Sequence, residues 1–335
     1  MGNADMKTNQ TGFSLVEMMV AMTISLVLVL GVATIMISSK RSYNVQQDMA
    51  RMQENARFAI EFLNKDLRMA GYFGCSFVPP MGVMPLEGRD NVNRANLSSD
   101  SNPSDVILVR FVDTNRNAFS VVAPPAPATN PLQEGQINFT PTVRGDLFIG
   151  DTVIASDCGS SEAYTITNIT NNNIFLTRVN CRSLLTSNGL CKTYNNKGLS
   201  DGAEIRRLVF YRYFIGSTND GGFSLFRDIN PINATLDINN ADELIQGVEN
   251  MQIRYGVDTD PNIDGVANQY QTANNIIDWT RIVSVRIYLV VNTIKERFDK
   301  EPDTETYDVG EDQDYDPQND HRRRTIFTTT VMLRN

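Results

Sequence analysis

The sequence holds a single histidine, His321, and only four cysteines in 335 residues. One imidazole cannot build the usual acid–base sets. The chain also lacks G-x-S-x-G, H-E-x-x-H and G-x-x-x-x-G-K-[ST], so the sequence predicts no enzyme. There is no C-x-x-C pair, and the cysteine spacing does not suit a zinc site. Positive charge is also scarce. The net charge is −9, which excludes a general nucleic-acid grip, because that grip depends on Lys and Arg neutralising phosphates. The one basic cluster, residues 322–324, sits beside His321 and reads as a flank of the last strand that offsets the acidic stretch before it. Two further absences are local: no proline interrupts residues 13–70, and no charge interrupts residues 18–37.

The uncharged run is long enough to cross a membrane, since about 20 apolar residues at 1.5 Å each span a bilayer core of about 30 Å. A soluble core helix is rarely apolar on every side for that length. A cleaved secretory signal is the rival reading. It predicts a short apolar core with no acid inside, whereas here Glu17 stands at the start of a longer run.

Glu17 is costly in lipid, by about 2.5 to 3.5 kcal/mol for a mid-helix acid, and the sequence offers it no partner nearby. Lys7 lies upstream, and Lys40 is about 35 Å further along a helix. A cut between Gly12 and Phe13 would create one, by placing a new α-amino group one helical turn before Glu17. Opposite charges attract far more strongly in low dielectric than in water.

Gly12, Phe13 and the following Ser-Leu-Val-Glu17 resemble the type III signal of type IV prepilins and pseudopilins. The resemblance implies that a prepilin peptidase cuts after Gly12 and methylates Phe13. It further implies that Glu17 meets the terminal amine of a neighbouring subunit during assembly. Asp5 and Thr11 depart from the family's basic leader.

Beyond the apolar run a stripe of Met49, Met52, Ala56, Ile60, Leu63, Leu67 and Ala70 recurs at spacings of three and four, widened by Phe58, Phe62 and Met69. The spacing predicts one helix from Phe13, stopped at Gly71, that packs this stripe on the rest of the chain. A coiled-coil seam with another protein is the alternative, but the stripe is short for one. Arg51, Glu54, Arg57, Glu61, Lys65 and Asp66 are expected on the open surface.

After Gly71 the texture changes to short apolar runs between Asn, Asp, Gly and Pro. Residues 106–112, 147–155, 163–169, 174–179, 205–215, 223–226, 251–257, 282–291 and 325–333 read as strands. The alternation Val283, Val285, Ile287, Leu289, Val291 predicts a sheet with one wet face. Residues 79–103 and 123–131 read as loops. The expected fold class is α+β, a long N-terminal transmembrane and amphipathic helix packed on a large β-rich head. Its parts are a leader at 1–12, the membrane half of the helix at 13–39, the amphipathic half at 40–71 and the head at 72–335.

Four segments narrow the resemblance: DLRMAGYFGC (66–75), MQIRYGVDTD (251–260), Trp279 with the following RIVSVRIYLV, and the closing TTTVMLRN. Together they resemble PilW-type minor pilins, large cousins of the J-type minor pseudopilins of type II secretion. The resemblance implies a single-pass protein of the inner membrane whose head lies in the periplasm and later on the pilus fibre. Its implied partners are the prepilin peptidase, other minor pilins and the major pilin. Its implied work is priming and tip assembly of type IV pili for twitching motility and surface attachment. A J-type pseudopilin and a tip adhesin are the alternatives.

A periplasmic head meets an oxidising compartment. Cys75, Cys158, Cys181 and Cys191 allow three connectivities. Cys181 and Cys191 enclose a short loop that they could staple, which leaves Cys75 for Cys158; free buried thiols are the other reading. In DTDPNIDGVANQYQ, the pattern Asp260, Asn262, Asp264, Gly265 and then Asn268 has the oxygen spacing of a calcium loop. Gln271 stands where a bidentate Glu would be, and an Asp/Asn/Gly turn between strands is the alternative. Calcium is a possible ligand and no cofactor is required. Residues 299–320 hold ten acids against Lys300 and read as a solvated, mobile insertion, with loose attraction of metal ions as the alternative.

Overall fold

The computed structural model describes residue 12 and residues 14–75, 80, 83–114, 119–120, 137–138, 147–156, 161–169, 173–178, 204–231, 234–296, 301–310, 314–317 and 319–333. The chain divides into two compact units, Met1–Arg51 and Met52–Asn335. One helix, α1 (Leu15–Leu67), contributes to both. In the first unit its side chains from Leu15 to Tyr43 are all exposed, and it is long and apolar enough to cross a membrane.

The second unit begins with the amphipathic half of α1, whose Met52, Ala56, Ala59, Leu63 and Leu67 are buried. The α-helical ladder ends at Leu67. A tighter turn follows, in which Ala70 N–H bonds to the Leu67 carbonyl. Gly71, at φ +80°, turns the chain away, a conformation that costs residues with a Cβ. The amide of Gly71 then donates to the Arg110 carbonyl, which ties the helix end to the sheet.

The described strands are β1 (Leu86–Val92), β2 (Ser104–Val112), β3 (Phe119–Ser120), β4 (Ile137–Asn138), β5 (Thr152–Ser156), β6 (Ser161–Ile169), β7 (Asn173–Arg178), β8 (Glu204–Ser217), β9 (Phe223–Ile229), β10 (Asp242–Gln246), β11 (Val248–Val257), β12 (Gln269–Gln271), β13 (Ile282–Asn292), β14 (Tyr307–Asp308), β15 (Asp314–Tyr315) and β16 (Arg324–Met332). The fold is α+β. The larger sheet runs β1-β2-β8-β5-β6-β7-β4, with β3 and β9 also on β8 and β10 on β9. The long strand β8 pairs with β5 from Glu204 to Arg207, then with β2 from Leu208 to Tyr213 and with β9 from Tyr211 to Ser217. The second sheet is antiparallel, in the order β12-β11-β13-β16.

Both sheets and α1 share one core. Leu63 and Leu67 lie in it with Ile107, Val109, Tyr213, Ile215, Ile253, Val285, Ile287 and Val331. The sheets are joined at the edge of β11, where side chains take the place of a neighbouring strand. Ser104 Oγ accepts from Met251 N–H at 3.0 Å and Asp105 accepts from Ile253 N–H at 2.8 Å.

Five expectations need correction. Residues 79–103 include β1, although its sequence LEGRDNV carries three charges. Glu87 pairs with the buried Arg110, and a Cβ at Gly88 would run into the Tyr255 hydroxyl, so tertiary contacts override weak local propensity. Residues 147–151 form a turn ahead of β5, closed by Phe148 N–H donating to Asp151, with Phe148 and Ile149 exposed. Strand β13 has no wet face. Only Arg286 and Tyr288 are half-exposed, because Val309 and Tyr315 cover Val290 from the far side. On α1, Phe58 and Phe62 are exposed rather than part of the core stripe. Asp66, expected in solvent, is buried.

Candidate functional site

The start of α1 carries the residues that the type III signal singles out. Gly12 is exposed, and an added Cβ there would meet nothing within 4 Å. Packing in this structure therefore does not demand glycine there. Phe13 lies outside the described residues. Ser14 precedes the helix, its hydroxyl 3.4 Å from the Glu17 amide, and its carbonyl accepts from Met18 N–H at 3.2 Å. Glu17 stands in the first turn, where the unpaired amides of a helix N-terminus favour a carboxylate.

The Asp258 turn follows β11. Carboxylate oxygens of Asp258, Asp260 and Asp264 lie within 4.8 Å of one another, a set able to offer oxygen ligands to a hard cation. The structure adds Asp258, which the sequence pattern left out, and gives Asn268 a structural task. Asn268 Oδ1 accepts from Thr259 N–H at 2.7 Å, and its Nδ2 donates to Asp260 at 3.2 Å. Asn262 is exposed. Asp258 accepts from the amides of Asp260, Asp264 and Gly265. Burial pushes its pKa up, but those amides and Arg281 together hold it below the ordinary value.

A cleft of about 670 Å³ runs beside α1, with Arg57, Lys65, Arg68 and Arg227 around the edge-to-face pair Phe111 and Tyr211. Asp66 forms part of its wall, and Tyr213 donates its hydroxyl to this carboxylate. Burial raises the Asp66 pKa against the Tyr213 hydrogen bond and the Arg227 charge. The periodic signal was present, since Asp66 continues the spacing of Ala59 and Leu63, but an acid was not expected on a core stripe.

Among the cysteines, Cys75 alone is described. Its sulfur is disulfide-bonded and lies 3.8 Å from Ser156 Oγ. Cys158, Cys181 and Cys191 lie outside the described residues, and the pairing lies there with them. The acidic stretch, by contrast, is folded back among its described residues. Arg324, fully buried, pairs with Glu249 at 2.7 Å, Asp320 at 2.7 Å and Asp303 at 3.0 Å. The insertion expected to be solvated is pinned at both ends by one guanidinium.

Residues 7–33 match the model of the prokaryotic N-terminal methylation motif, and residues 212–335 match that of the type IV pilus-assembly protein W. The two matches, one at each end, support a PilW-type pilin. No curated protein matches the chain, and no solved structure does. The first match covers Gly12, Phe13, Glu17 and most of the apolar run, as expected of a membrane-anchored pilin. The second starts within β8 and takes in the whole second sheet, with the Glu249–Arg324 pair and the folded acidic stretch.

Proposed function

We propose that the chain is a minor pilin that joins the priming complex of type IV pili and stands at or near the tip, serving twitching motility and surface attachment. The observation that carries this reading is the joint presence of a methylation motif at residues 7–33 and a PilW match at residues 212–335. In this reading the prepilin peptidase cuts after Gly12 and methylates Phe13. The head stays periplasmic while α1 is stored in the inner membrane, and other minor pilins and the major pilin are the partners. The role is structural rather than enzymatic.

The freed amine of a neighbouring subunit meets Glu17 in lipid, where an ion pair is strong. Glu17→Ala should still be inserted, still be cut, and still yield a head with the parent's melting temperature, because Glu17 belongs to the first unit. It should lose co-purification with partner pilins and lower the number of pili per cell. A bulky residue at position 12 should leave uncut precursor in the membrane. Normal piliation in cells lacking the chain, with type II secretion lost instead, would move it to the J-type pseudopilins.

A further inference from the structure

The head manages its sheet edges unequally. Strand β1 carries Glu87, Arg89 and Asp90 and a register shift between Arg89 and Val92. The Asp90 carboxylate also accepts the amides of Ala273 and Asn274, which close over it. Strand β10 is five residues long, carries Asp242 and Glu243, and shifts register between Glu243 and Ile245. Strand β12 has three residues and β4 two. Charge, bulges and shortness are the devices by which proteins keep an edge from recruiting another strand.

Strand β16 uses none of them. It runs nine residues, and its ladder to β13 is unbroken from Ser284 opposite Met332 to Asn292 opposite Arg324. Its one charge, Arg324, is drawn into the Glu249 and Asp320 pairs. Residues 325–333 contain no charge and no proline. It ends the second sheet, and among the described residues no strand lies on its outer side. In an antiparallel ladder every second residue turns its N–H and C=O away from the partner. Those groups form a regular row, and Thr328, Thr330 and Met332 beside it are exposed.

We propose that the outer edge of β16 receives an extended strand from another subunit of the assembly, which completes the second sheet. The unpaired row calls for a backbone in β conformation, and this is the chemistry by which strand addition gains its affinity. Thr328 and Thr330 call for small or β-branched side chains opposite them. At the Arg324 end the folded acidic stretch exposes Glu305, Asp308, Asp314 and Asp316, so the incoming strand should carry basic residues there. A second copy fits less well, because it brings the same acidic stretch and a further net charge of −9. The inference rests on the pilin reading only for the source of the strand.

The test uses the full-length protein in lipid nanodiscs and a labelled peptide of alternating Thr and Val that ends in two lysines. Its control is the same peptide N-methylated at every internal amide, which keeps side chains and charge but removes the backbone donors from both edges. Binding should be at least about tenfold tighter for the unmethylated peptide, and amide exchange should slow at residues 325–332. Equal binding of the two peptides, no binding, or protection confined to another strand would overturn the proposal. Protection of the same residues that grows with protein concentration alone would overturn it in favour of self-pairing. Piliation is not part of the readout, so the pilin reading can fail while this one stands.

Discussion

The carboxylate of Asp105 accepts the amide of Ile253 with one oxygen at 2.8 Å and that of Asn91 with the other at 3.0 Å, so that one side chain on β2 closes the free edge of β11. Burial and the neighbouring Asp90 push its pKa up to about 7, against the two amides and Arg254. The fold therefore holds the proton more tightly than the unfolded chain does. Its contribution is full below the ordinary carboxylate pKa, shrinks as pH rises, and is gone above about 7.

From this we predict that the head gains stability as pH falls from 8 to about 5. At lower pH it should lose stability again, because Asp100 and Asp320 have lowered pKa values. Burial raises each of these two, but hydrogen bonds from Arg94 and Arg324 outweigh it. Asp105→Asn should make the first limb shallower, leaving the part due to Asp66, and spare the second. Melting curves across pH decide it; a parent whose stability rises steadily from pH 5 to 8 would contradict the assignment.

Arg324 is the second point of leverage. Its guanidinium meets Glu249 on β11 and both ends of the acidic stretch. Arg324→Met would leave Glu249 buried without its countercharge, which typically costs about 3 to 5 kcal/mol. The variant should also free residues 301–320 to proteases that spare the parent. Adding Glu249→Gln should recover part of the stability without restoring protection of the stretch, since Asp303 and Asp320 would still lack their anchor.

These groups show what the sequence could and could not disclose. The helix was legible because a missing proline, a stripe from Met52 to Leu67 and a glycine at 71 are all local signals. Strands such as β2 and β13 were legible because their apolar runs are continuous. Strand β1 was not, because its register depends on Arg110 and Tyr255, residues far along the chain. The acidic stretch misled for the same reason: composition shows ten acids, but only the fold brings Arg324 between Asp303 and Asp320. The N-terminal methylation motif was legible because it is a short linear pattern. At the turn after β11 it supplied the spacing but missed Asp258, which lies before the first position of the pattern.

The cysteines can be resolved by chemistry. Gly74 lies against Ser156, with 3.6 Å from an added Cβ to that side chain, and Cys158 follows Ser156 by two residues. Peptide mapping without reduction is expected to link Cys75 with Cys158 and Cys181 with Cys191. Removing the first link should destabilise the head more, because on the chain-entropy model the longer closed loop restricts the unfolded chain by roughly 2 kcal/mol more. A Cys75 peptide joined to Cys181 or Cys191 would show that the helix end is tied to a different part of the head.

The turn after β11 separates two ways of holding a loop. A calcium loop owes its shape to the ion, and chelation loosens it. Here Asp258 already collects the amides of Asp260, Asp264 and Gly265, while Val266 N–H donates to Asp264 at 2.9 Å and Arg281 donates to the Asp258 and Asp260 carbonyls. The protein supplies the restraints an ion would otherwise supply. We therefore predict that EDTA leaves the melting temperature of the head unchanged, whereas Asp258→Asn lowers it, because an amide side chain cannot accept at both positions as the carboxylate does. Isothermal titration of calcium into the chelated protein completes the experiment. A melting temperature that falls on chelation and returns with calcium would show that Asp258, Asp260 and Asp264 hold an ion on which the turn depends.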